Sequence, residues 1–90
     1  MISRTTEKFR EAFQKLPPQI QRKAKQNYKI FKKDPYHPVL HFAQVHPTEP
    51  IYSIRIGLGW RAVGIKQGNN LIWFWIGSHS EYDNLLSKMR

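Results

Sequence analysis

Ninety residues with fifteen Lys and Arg against six Asp and Glu give a formal charge of +9, and there is no Cys. That length allows one domain, residues 1–90, with one core, and the lack of thiols excludes a disulfide framework or a thiolate metal site. The apolar fraction of 40%, with three Trp, four Tyr and five Phe, is enough for a packed interior. The longest apolar run is far short of a membrane span, and Met1 to Thr5 does not open a secretory signal, so a soluble, cytoplasmic protein away from membranes is expected.

The charge is unevenly placed. Residues 1–33 hold ten basic side chains against Glu7 and Glu11, whereas residues 34–90 hold five against Asp34, Glu49, Glu81 and Asp83. Such asymmetry points to a polyanionic partner, nucleic acid before an acidic protein.

In chain order, Phe9, Ala12, Phe13 and Leu16 fall at i, i+3, i+4 and i+7, the stripe of an amphipathic helix. Thr5 or Thr6 suits its N-cap, and Pro17-Pro18 ends it. Pro18 can begin a second helix, whose apolar stripe is Ile20, Ala24, Tyr28 and Phe31 and which stops before Asp34-Pro35. Arg22, Lys25, Lys29, Lys32 and Lys33 fall on its polar side, a candidate nucleic-acid face whose blander reading is solvated surface.

From Val39 the period changes. Val39 to Val45 reads as a short strand, and Tyr52, Ile54 and Ile56 alternate with Ser53 and Arg55 in a half-buried one. Gly57-Leu58-Gly59 connects it to a strand from Trp60 to Lys66, and Gln67-Gly68-Asn69-Asn70 is a hairpin turn. Leu71 to Ile76 shows no alternation, as expected of a central strand covered on both faces, with Trp73, Phe74 and Trp75 in the core. Ser80 to Lys88 suits a closing helix capped by Ser78 or Ser80, with Leu85, Leu86 and Met89 packing back. The expected fold is α+β: a helical hairpin on a mainly antiparallel sheet of three or four strands, then a short C-terminal helix.

This topology brings Arg61, entering its strand, to the same sheet end as His79, leaving the next one. Arg61, His79, Glu81 and Tyr82, with Arg55 nearby, suit RNA cleavage by 2′-hydroxyl attack without a metal. His exchanges protons near neutral pH, and Arg stays charged and matches phosphate oxygens. The bland alternatives are a solvent-facing or capping His79, a dipole-favoured Glu81, a core Tyr82 and an ion-paired Arg55. His37, His41 and His46 fit no standard zinc spacing and read as loop residues, so no metal and no cofactor is expected.

Tyr52-Ser53-Ile54-Arg55-Ile56-Gly57, Trp60-Arg61-Ala62-Val63, and Ile72 to Tyr82 with its Gly77-Ser78-His79-Ser80-Glu81 ending resemble the RelE/ParE superfamily of bacterial toxin–antitoxin toxins. Leu16-Pro17-Pro18 between the helices also fits, so the resemblance covers nearly the whole chain. It implies a compact α+β toxin, a neighbouring antitoxin that silences it, and one of two activities. RelE-like members cleave mRNA, usually on the ribosome and without a metal; ParE-like members poison DNA gyrase. It matches Arg61 to the family's phosphate-contacting Arg, places His79 and Tyr82 near its basic and tyrosine positions, and makes Arg55 its recurrent first Arg. The family's opening strand would be reduced to about Ile2-Ser3-Arg4. The leading expectation is an mRNA endoribonuclease; the alternatives are a gyrase inhibitor and a basic antitoxin-binding module without activity.

Overall fold

The computed structural model describes residues 1–89. The elements run β1 (Ile2–Thr5), α1 (Glu7–Gln14), α2 (Pro18–Lys33), a 3-10 turn (Pro38–Leu40), β2 (Ala43–Gln44), β3 (Ile51–Ile56), β4 (Trp60–Gln67), β5 (Asn70–Ser78) and α3 (His79–Met89). The α+β architecture is as expected, but the sheet has five strands rather than three or four, in the order β1-β5-β4-β3-β2. The additional strand is β1, which pairs parallel with β5; the other pairings are antiparallel.

Local chemistry sets the boundaries. Thr6 caps α1 by accepting the amide of Phe9 on its hydroxyl at 3.1 Å. Pro17-Pro18 separates the helices, and the Gln21 amide donates to the carbonyls of Gln14 and Leu16, partners for the acceptors left free at the end of α1. Asp34 closes α2, and its carboxylate accepts the Tyr36 amide in a turn. The expected strand over Val39–Val45 shrinks to Ala43–Gln44, because Pro38 starts a 3-10 turn and His41 adopts a left-handed conformation at φ 47°.

The two sheet faces are covered differently. The helical hairpin packs over Ile54, Ile56, Ala62, Leu71, Trp73 and Ile76, with Leu16, Ala24 and Phe31 inserted from the helix side. Phe31, only 1% exposed, meets Trp73 and Phe42 edge-on at 5.3 Å each. Ser3 joins three elements by accepting the Tyr28 hydroxyl at 2.8 Å and the Trp73 indole N–H at 2.9 Å. Tyr82 of α3 packs with Ile51 and Val63, flanked by Trp75, Leu85, Leu86 and Met89. Ser53 and Val63 pair across strands and alternate with Ile54 and Ala62, so α3 covers the face opposite the hairpin. Pairing shifts between Val63 and Gly64, opposite Trp75 and Trp73, so Phe74 is the bulged residue of β5. Among the described residues no helix is long and apolar enough to cross a membrane.

Candidate active site

The α3 face ends in a row of basic groups set by strand register. Arg55 of β3 pairs with Arg61 of β4, which pairs with Gly77 of β5, two residues before His79. The His79 amide donates to the Gly59 carbonyl at 2.8 Å, which places the start of α3 beside the entry to β4. Arg61 and His79 therefore share one sheet end, as the topology predicts.

Two guanidinium groups opposite each other on adjacent strands repel, and such pairs destabilise a sheet. Neither has a carboxylate within ion-pair distance; among the described residues the only ion pair is His79 Nδ1 to Asp83 Oδ2 at 3.2 Å. Arg61 donates to the Trp60 carbonyl at 2.8 Å, and its guanidinium lies 6.0 Å from the Tyr82 ring centroid. Burial, then the charge of Arg55, pull the Arg61 pKa below the ordinary guanidinium value, against support from Tyr82 and Asp83. Arg55 donates to His41 Nε2 at 3.1 Å, while its own Nε is buried without a partner. Because Arg has only donors, His41 must present an unprotonated Nε2 there. This half-buried cationic pair is short of acceptors and suited to an anion.

Of the expected site residues, His79 is exposed, and Asp83 holds its Nδ1 so that Nε2 is presented. Glu81 is exposed but occupied: its carboxylate accepts the Ser78 amide at 3.1 Å and the Ser78 hydroxyl at 2.8 Å. Ser78 Oγ in turn accepts the Glu81 amide at 3.3 Å, completing a capping box that starts α3. The Ser78 bonds, backbone first, lower the Glu81 pKa and hold it ionised. Tyr82 is 8% exposed, and its hydroxyl donates to Ser53 at 3.3 Å. Its ring meets His79 edge-on at 5.9 Å and lies beneath Arg61, so it is the platform on which both basic side chains rest. Gly77 leaves room for this arrangement, since a Cβ there would stand 2.8 Å from the Trp75 ring and 3.3 Å from Glu81 Oε1.

The α2 lysines lie elsewhere. Arg22, Lys25, Lys29, Lys32 and Lys33 are all exposed on α2, which packs on the opposite sheet face from the arginine pair. Lys25 lies 5.8 Å from the Phe13 ring centroid and Lys32 5.1 Å from that of Tyr28, their stems covering apolar surface. His37 and His46 are loop anchors, as expected: His37 accepts the Val39 amide, and His46 accepts those of Thr48 and Glu49. His41 departs from that expectation by reaching Arg55, and Asn27, 1% exposed, donates to the Arg55 carbonyl at 2.8 Å. Only a buried Asn in the apolar stripe of α2 could have signalled that contact.

No curated protein sequence is significantly similar to the chain. Solved structures share its fold at low identity. RelE in the RelB–RelE complex of Methanococcus jannaschii superposes with a TM-score of 0.73 at 13% identity, over 90% of this chain and 95% of that one. The archaeal RelE–RelB complex of Pyrococcus horikoshii OT3 gives 0.68 at 15% identity, over 86% and 92%. The YoeB/ParE toxin of Agrobacterium tumefaciens gives 0.67 at 16%, over 88% and 99%. The family model of the ParE-like toxin domain matches residues 18–84, from the first residue of α2 into α3 and through the arginine pair. The chain belongs to that family, within the RelE/ParE superfamily of toxin–antitoxin toxins.

Proposed function

We propose that this toxin is an endoribonuclease that cleaves mRNA on the ribosome without a metal and is silenced by a cognate antitoxin. The observation that carries the reading is the Arg55–Arg61 pair, half-buried, without a carboxylate in ion-pair distance of either guanidinium, and beside an imidazole whose Nδ1 is fixed by Asp83. Attack of a ribose 2′-oxygen on phosphorus builds negative charge on the phosphoryl oxygens while a proton leaves the nucleophile and another reaches the departing 5′-oxygen. Arg61, supported by Arg55, meets the phosphoryl charge. His79 exchanges one of these protons through Nε2, solvent water exchanges the other, and Asp83 steadies the ring in the manner of a carboxylate–histidine pair. Glu81 and Tyr82 act by position: the first fixes the turn that presents His79, the second supports Arg61 and His79. The exposed lysines of α2 form a separate basic surface that would hold ribosomal RNA. Relatives solved as RelE–RelB complexes support an antitoxin as partner.

The test is a translating extract supplied with the purified protein, followed by mapping of transcript ends. Cleaved messages ending in 2′,3′-cyclic phosphate are expected, with loss of cutting in Arg61→Ala. Intact messages together with inhibited DNA gyrase supercoiling would replace this reading with the ParE-like one.

A further inference from the structure

Beyond the arginine pair the sheet edge opens into a basic cavity of about 190 Å³, lined by Lys23, Val39, His41, Arg55, Gly57 and Leu58. Strand β2 begins only at Ala43, opposite Ser53, so on that side of β3 no strand pairs at the level of Arg55. Asn27 takes up the Arg55 carbonyl on that open edge, and Lys23, one helical turn earlier on α2, joins the cavity from the same flank. Three groups thus converge from α2, the loop before β2 and β3, and no carboxylate lines the space. Arg55 Nε, buried and without a partner, belongs to the same side chain. His41 is held in left-handed backbone at φ 47°, a conformation few non-glycine residues adopt, and it points its ring at Arg55. Apolar surface adjoins the charge: Leu58 is 83% exposed and Val39 40% exposed.

We propose that Lys23, His41 and Arg55 bind the phosphate of a nucleotide, with Val39 and Leu58 as the seat for its base. The phosphate source this favours, RNA crossing the α3 face, rests on the cleavage reading. Arg55 is shared between the cavity and the Arg61 pair, and adjacent strands lie about 4.8 Å apart. A strand held at Arg61 and running toward the sheet edge would therefore carry a neighbouring phosphate into the cavity. Lys and Arg supply fixed charge, His41 supplies a ring that can donate once a phosphate displaces its contact with Arg55, and an exposed Leu gives sequence-tolerant apolar contact.

The test uses the full chain and three probes in NMR titrations: a 2′-O-methyl RNA oligonucleotide that cannot be cleaved, adenosine monophosphate, and an Asp- and Glu-rich peptide. The oligonucleotide is expected to shift the His41 ring and Leu58 methyl signals. Lys23→Ala and His41→Asn, the latter tolerant of left-handed backbone, are expected to raise its Kd about 5- to 10-fold, and Lys23→Ala to lower the salt slope by roughly one. Both positions are exposed, so retained melting temperatures would show that the variants fold. Shifts with adenosine monophosphate but no oligonucleotide binding would support the site and fail the RNA reading. Oligonucleotide shifts confined to Arg61 and His79, with both variants binding normally, would overturn the site and leave the RNA reading standing. A response to the acidic peptide alone would also overturn it, marking the cavity as a seat for a protein carboxylate.

Discussion

The two faces of the sheet differ in how completely their polar groups are satisfied. Under the helical hairpin, Ser3 accepts two donors, Asn27 spends its amide on the Arg55 carbonyl, and Phe31, Phe42 and Trp73 interlock edge-on. Under α3 the sheet holds two arginines in register, a depressed Arg61 pKa and an unpartnered Arg55 Nε. A chain this small could have placed a carboxylate opposite either arginine and been more stable. Retaining the repulsion makes sense if the missing anion arrives with a ligand.

That contrast can be broken from either side. The largest effect is expected on the dry face: Phe31→Ala should cost about 3–5 kcal/mol in urea unfolding, because it opens the aromatic cluster. Gly64→Ala would set a Cβ 2.9 Å from the Trp73 ring and 3.0 Å from the Ile72 carbonyl, and should cost roughly 1–3 kcal/mol by the same measurement. On the other face, Ser78→Ala removes the cap of α3 and should cost about 1 kcal/mol. The Glu81 pKa is lowered in the folded state, so its share of stability is complete above the ordinary Glu range and is lost as the pH falls through the depressed value. Ser78→Ala removes the hydroxyl bond but keeps the backbone amide, the larger cause, so it should flatten that acid limb only in part, which pH-dependent melting would show. The smallest change should have the opposite sign: Arg55→Met removes the like-charge pair and should raise stability by roughly 0.2–1 kcal/mol. A clear loss of stability in Arg55→Met would mean that the arginine pair is structural.

Legibility in the sequence follows the same division. The hairpin, β3, β4 and β5 carry periodicity and breakers strong enough to read, and so does the meeting of Arg61 with His79, since antiparallel strands joined by a short turn leave little choice. The Ser78-to-Glu81 spacing is that of a capping box, and the first-turn reading of Glu81 is the one its bonds support. What escaped depends on the sheet edges. Four residues of β1 show no strong alternation, so only the family resemblance marked a strand over Ile2-Ser3-Arg4, and its parallel pairing with β5 depends on the return of the chain through the hairpin and the strands. Val39 to Val45 has strand composition, but Pro38 and left-handed His41 turn the chain before it can pair. Lys23 reads as one more surface lysine, and His41 as a loop residue, until the short β2 exposes the edge that brings both to Arg55.

The most direct test of the central claim compares the two basic surfaces in one assay. Cleavage of a saturating RNA substrate is measured for Arg61→Ala and for Lys25→Ala/Lys29→Ala/Lys32→Ala together. The arginine pair, unpaired with any carboxylate, predicts a loss of about 100- to 1,000-fold for Arg61→Ala, the scale of a removed charge-stabilising donor, with the lysine variant retaining its rate at saturation. Full cutting by a folded Arg61→Ala protein, with activity abolished by the lysine changes, would contradict it.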